Sequence, residues 1–92
     1  MVTAIILIRV ARGGVPTAAE ALLEISGVGE VYSVAGDWDL VAIARVKRHD
    51  DLDGLVTGKL AAIQAIESTK TLVAFRAYSR KDVRAMWDIG LD

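Results

Sequence analysis

Apolar residues along the chain follow two different periods, and the switches between them mark out the elements. Residues 3–11 are β-branched and aliphatic on both parities, Ile5 and Leu7 alternating with Ile6 and Ile8, so they predict a strand with both faces destined for burial and Arg9 near its end. Gly13-Gly14 breaks the run. Pro16 then suits the first turn of a helix whose stripe is Val15, Ala18, Leu22 and Ile25, with Gly27 as its stop. Period two returns in residues 30–35 and again in 39–46, where Leu40, Ala42 and Ala44 alternate with Val41 and Ile43, and the short link between them predicts a hairpin.

Asp50 or Asp51 is placed to cap a second helix with the stripe Leu52, Leu55, Val56, Leu60 and Ile63, despite Gly54 and Gly58, each of which costs about 1 kcal/mol against Ala. Those glycines admit two readings, close approach of another backbone or simple exposure, and the second is favoured because one glycine inside a helix is a weak signal. Residues 66–78 predict a fourth strand that starts polar, at Ser68, Thr69 and Thr71, and turns apolar through Leu72, Val73 and Phe75. Ser79-Arg80-Lys81-Asp82 has the form of a capping box opening a short C-terminal helix with Val83, Met86 and Trp87 on one side.

The order is β-α-β-β-α-β, and a weak internal repeat supports it. Ile6 to Val10 matches Val41 to Val46 at the Arg-Val end, and Leu22 to Val28 echoes Leu60 to Ile66. Two such halves close into an α+β, ferredoxin-like sandwich: a four-stranded antiparallel sheet with both helices on one face. Helices cover one face only, so strands that are apolar on both faces predict burial of the open face by another subunit's sheet. A homodimer is the default, with the Trp87 helix as a second docking element. Residues 1–78 form the domain and 79–92 a helical tail.

Composition narrows the function classes. An apolar fraction of 53% with 5% aromatics describes a single aliphatic core, and the surplus over the usual 45–50% fits burial between subunits. Basic and acidic residues nearly balance at a net charge of −1, and no Lys/Arg run exceeds a pair, which argues against direct nucleic-acid binding. Cysteine is absent, excluding disulfides, thiolate metal sites and a cysteine nucleophile. The apolar opening is interrupted by Arg9 well short of spanning length and has no basic leader, so the expectation is a cytoplasmic protein with no membrane role.

Few residues invite chemistry. His49, the single histidine, lies between Arg48 and Asp50 in a strand-to-helix link and reads as solvated; no serine has a base at a suggestive spacing, and no metal or cofactor motif is present. Gly27-Val28-Gly29 follows a helix and precedes a strand, the reverse of a phosphate-binding loop. What remains is the turn Val34-Ala35-Gly36-Asp37-Trp38-Asp39-Leu40. Gly36 and the two aspartates make an ordinary hairpin turn, but Trp38 and the second carboxylate exceed what turning requires. Freed amides can receive a carboxylate, an aspartate an ammonium group, and a ring can wall a small pocket, a combination suited to an amino acid.

These residues carry a resemblance. Gly27-Val28-Gly29-Glu30-Val31, the turn from Val34 to Leu40 with its Gly-x-aromatic-Asp pattern, and Ile66 through Thr69 and Thr71 into Leu72-Val73 are similar to the ligand-binding (RAM) domain of the Lrp/AsnC transcriptional regulators. The likeness covers about residues 2–78. It implies dimers that pair through their sheets, rings of dimers, and an effector amino acid bound in clefts between dimers near the turn. Carried to this sequence, the site would comprise Gly36, Asp37, Trp38 and Asp39, with Ser68, Thr69 and Thr71 as weaker members.

Two departures from the family pattern stand out. Trp38 replaces the usual smaller aromatic, and the chain starts at its first strand with no helix-turn-helix before it, the form of a stand-alone member. The resemblance therefore implies an oligomeric amino-acid-sensing module in the regulation of transcription or amino-acid metabolism that neither catalyses a reaction nor binds DNA itself, and that can co-assemble with a full-length Lrp/AsnC regulator. Two alternatives remain open: a small dimeric enzyme of the ferredoxin-like monooxygenase or isomerase type, which would need a base inside the sheet cavity, and a purely structural assembly domain.

Overall fold

The computed structural model describes residues 1–80. The expected C-terminal helix, its Ser79 to Asp82 capping box and the docking role of Trp87 fall largely or wholly outside them. Strand β1 (Val2–Val10) leads through Gly13-Gly14 into α1 (Val15–Leu23); β2 (Val28–Ser33) and β3 (Leu40–Val46) follow as a hairpin; α2 (His49–Asp53) runs on as a π-helical segment (Gly54–Leu60) into β4 (Ile66–Ala74). The strands form one antiparallel sheet in the order β2-β3-β1-β4. This is the ferredoxin-like α+β sandwich that the hydrophobic pattern predicts.

Register decides which apolar set goes where. Ala4, Ile6 and Ile8 stand opposite Ala44, Ala42 and Leu40, and all six are at most 1% exposed beneath the helical layer. Ala18 and Leu22 of α1 and Leu52, Leu55 and Leu60 close over them, each fully buried aliphatic side chain contributing about 1.5–3 kcal/mol. The other parity places Thr3, Ile5 and Leu7 opposite Arg45, Ile43 and Val41 on the face away from α1 and α2, where, among the described residues, Ile5, Leu7, Val41 and Ile43 stay partly open. A strand slip of one residue would exchange the two sets.

Several boundaries differ from expectation for physical reasons. Strand β4 stops at Ala74 rather than 78, because Ala74 already pairs with Thr3 and β1 has almost no residues left to receive more; Phe75 beyond it is fully exposed. Strand β2 begins earlier, at Val28, which pairs with Ala44 and is 8% exposed, and ends at Ser33, where the turn starts. Neither Asp50 nor Asp51 caps the second helix. The cap position is Arg48, and Asp51 reaches back from the first turn so that its Oδ2 accepts the Arg48 N–H at 3.2 Å.

The stretch around Gly54 and Gly58 winds as a π-helix instead of an α-helix, where two poor helix formers weaken the tighter ladder. A Cβ at either glycine would meet nothing within 4 Å, in keeping with simple exposure. Gly27 is different: its φ of +101° requires glycine, and a Cβ there would come within 3.3 Å of both Leu55 and Val46.

Candidate ligand site at the acidic turn

Between β2 and β3 the chain closes on itself through the Val34 N–H donating to the Asp39 carbonyl at 3.0 Å, with Gly36 at φ +119°. Asp39 faces β1: its N–H donates to the Ile8 carbonyl at 2.9 Å, and its Oδ2 accepts the Val10 N–H at 2.8 Å. The half-buried carboxylate thus extends the β1–β3 ladder by one bond where the β1–β4 register shifts between Arg9 and Val10. Backbone that the end of β3 would leave unpaired on this side of β1 is satisfied by a side chain.

Arg9, next to Val10 on β1, completes the turn. Its Nε and Nη2 donate to the Asp37 carbonyl at 3.1 and 2.9 Å, and its guanidinium lies 4.8 Å from the centroid of the Trp38 ring. Two hydrogen bonds and a cation–π contact hold an exposed arginine in one orientation, and hold the indole with it. The Asp37 carboxylate takes no part in these contacts. Asp37 offers its carbonyl to Arg9 while its charged group stays exposed, with no arginine or lysine nitrogen bridging to it among the described residues.

The other predicted residues lie along β4, whose N-terminal end shares this end of the sheet. Ser68 pairs with Arg9 in register and therefore stands on the open face, whereas Thr69 and Thr71 pair with Ile8 and Ile6 and stand on the helix side. The structure brings Gly36, Asp37, Trp38 and Asp39 together and places Ser68 beside Arg9 on one face. It does not gather the three hydroxyls on that face. Arg9 is the residue that motif reasoning passed over, and its one legible signal is a lone cation at the end of an otherwise apolar strand.

A groove of about 590 Å³ lies at the opposite end of the sheet, between Ser26-Gly27, Arg45-Val46-Lys47 and the α2 segment. Its charged lining mixes Arg45, Lys47 and Lys59 with Asp50 and Asp51, and none of the described residues that line it is aromatic. No group of three metal-ligating side chains occurs among the described residues, and no helix there is long and apolar enough to cross a membrane. On the open face, Glu30 accepts a hydrogen bond from the Tyr32 hydroxyl and lies 3.5 Å from the Arg45 guanidinium. The tyrosine hydrogen bond, more than the arginine, holds the Glu30 carboxyl below its ordinary pKa and pushes the Tyr32 hydroxyl up.

Among the described residues the fold is a ferredoxin-like sandwich, with helices on one sheet face and an aromatic, charged turn held in place at one end of the sheet. The chain belongs to the Lrp/AsnC ligand binding domain family, whose model matches residues 3–83. Among solved structures it is similar to TTHA0845 from Thermus thermophilus, at 46% identity and a TM-score of 0.82 over 87% of this chain and 100% of that one. It is also similar to an uncharacterized HTH-type transcriptional regulator, PH1916, from Pyrococcus horikoshii, 39% identical over 57 residues that cover 62% of this chain and 38% of the regulator. A feast or famine regulatory protein from M. tuberculosis, complexed with L-methionine, shares 26% identity and a TM-score of 0.70 over 88% of this chain and 55% of that one. The chain spans between 38% and 55% of the length of the transcriptional regulators it matches.

Proposed function

We propose that this chain is an amino-acid-sensing module of the Lrp/AsnC type, a homodimer that assembles further into rings of dimers, acting in the regulation of transcription without contacting DNA itself. The observation that carries the reading is the ordered turn: Arg9 fixed over Trp38, with the Asp37 carboxylate left exposed beside it. A fixed cation, a free anion and a ring are the three groups needed to hold an α-amino acid by its carboxylate, its ammonium and its side chain. Family membership and the methionine complex of a relative support the same ligand class. Effector binding is relayed to the DNA by a full-length Lrp/AsnC regulator that co-assembles with this module in the cytoplasm.

Thermal unfolding in the presence of each of the common L-amino acids tests it. A ligand at about 100 times its dissociation constant stabilises the folded state by roughly 2.7 kcal/mol, which for a domain of this size raises Tm by about 10 °C or more. No shift with any amino acid at millimolar concentration overturns the sensing role and leaves the structural assembly domain.

A further inference from the structure

Resting on that reading, we infer that Arg9 is the receptor for the effector's carboxylate and the residue by which the site requires a free acid. A guanidinium carries two edges of paired N–H bonds. One edge of Arg9, formed by Nε and Nη2, is spent on the Asp37 carbonyl, and the plane is seated over Trp38. The other edge, Nη1 with the second Nη2 hydrogen, is a fork of the geometry that carboxylates accept in bidentate fashion. Among the described residues no carboxylate lies on that fork, since the ion pairs there are those of Arg45 with Glu30 and Arg48 with Asp51.

Charge placement sharpens the choice of ligand. Asp37 gives Arg9 a neutral carbonyl, and among the described residues its carboxylate enters no ion pair, so a fixed positive group and a negative group stand side by side without neutralising one another. The arrangement complements a zwitterion better than a simple anion or amine. The carboxylate goes to the Arg9 fork, the ammonium to Asp37, and the side chain runs along Trp38. Ser68, paired with Arg9 across the β1–β4 ladder, stands on the same face. Because the guanidinium is already ordered, binding immobilises no long side chain at this point.

The experiment is calorimetric titration of wild type, Arg9→Gln and Arg9→Lys with the L-amino acid that gives the largest thermal shift and with its carboxamide, which keeps the ammonium and the side chain. Wild type should bind the acid about 10- to 100-fold more tightly than the amide. Arg9→Gln, which retains a donor for the Asp37 carbonyl, should bring that ratio to within about threefold, and Arg9→Lys, which keeps the charge and loses the fork, should fall between. The ratio is the readout because damage to the turn would weaken acid and amide together. An acid-to-amide ratio equal to wild type in both variants overturns the role of Arg9 while the sensing function stands. Should Arg9→Gln fail to fold, the ratio in Arg9→Lys decides alone. Failure of every amino acid to bind wild type overturns the sensing function, and this inference with it.

Discussion

At the scale of single residues, the turn is defined by what its side chains do for the backbone. Asp39 was legible as a turn residue, but not its partner: the Val10 N–H lies 29 positions away, on a strand that only the sheet's register brings beside the turn. Replacing Asp39 by Ala removes the acceptor and leaves that donor unpaired, so urea unfolding should show a loss of about 1–3 kcal/mol. Asp39→Asn keeps an acceptor oxygen and should cost less than about 1 kcal/mol. Equal losses in the two variants would mean that the contact is not what Asp39 contributes. The glycines allow a cleaner comparison. Gly27 and Gly36 share a positive φ, but only Gly27 is also crowded, with Leu55 and Val46 at 3.3 Å from a built Cβ. Gly36→Ala should therefore report backbone strain alone, about 1–2 kcal/mol, and Gly27→Ala should cost measurably more. Arg9 shows the limit of motif reading: the sequence marks it as an end-of-strand cation, and only the register brings it over Trp38.

Elements were more legible than residues, because burial alternates with the period that the apolar positions display. The strands of β1 and β3 follow from parity, while the end of β4 depends on how long its neighbour is, which no single-strand pattern contains. The second helix was legible as an apolar stripe and illegible as a winding: Leu52, Leu55 and Leu60 are buried as expected, yet the segment from Gly54 is a π-helix. Since nothing lies within 4 Å of a Cβ at Gly54 or Gly58, Ala at either position should raise stability by about 0.4–1 kcal/mol, measured by urea midpoint at constant m. On β2, Glu30 titrates below its ordinary value because Tyr32 donates to it and, secondarily, because Arg45 is near. A lowered folded-state pKa adds stability that is complete above the ordinary carboxylate range and is lost as pH falls through the folded value. Tyr32→Phe should raise the Glu30 pKa toward that range, as followed by carboxyl chemical shifts during acid titration; an unmoved titration would mean that Arg45 holds the charge.

For the whole molecule, charge and the open sheet face set the terms. A net charge of −1 with no basic run longer than a pair gives little counterion release, so this chain alone should show no salt-dependent binding to duplex DNA, and submicromolar binding at physiological salt with a steep salt slope would refute that. The open face decides assembly, and two adjacent residues of β3 separate folding from association. Ala42 is 0% exposed beneath the helices, whereas Ile43, one position on, is only partly buried and points to the side where Ile5, Leu7 and Val41 also lie. Asp at position 42 puts a charge into the aliphatic core with no partner and should unfold the domain. In a monomer, Asp at position 43 would keep its charge in contact with water and cost little. In a dimer closed through this face, the same change buries an unpaired carboxylate in each subunit and should shift the light-scattering mass to that of one chain while the far-ultraviolet spectrum stays folded. The contrast works only if the face is covered. A mass and melting temperature unchanged by Ile43→Asp, with Ala42→Asp unfolded as expected, would show that the sheet faces water in solution and that the surplus of apolar residues is buried elsewhere.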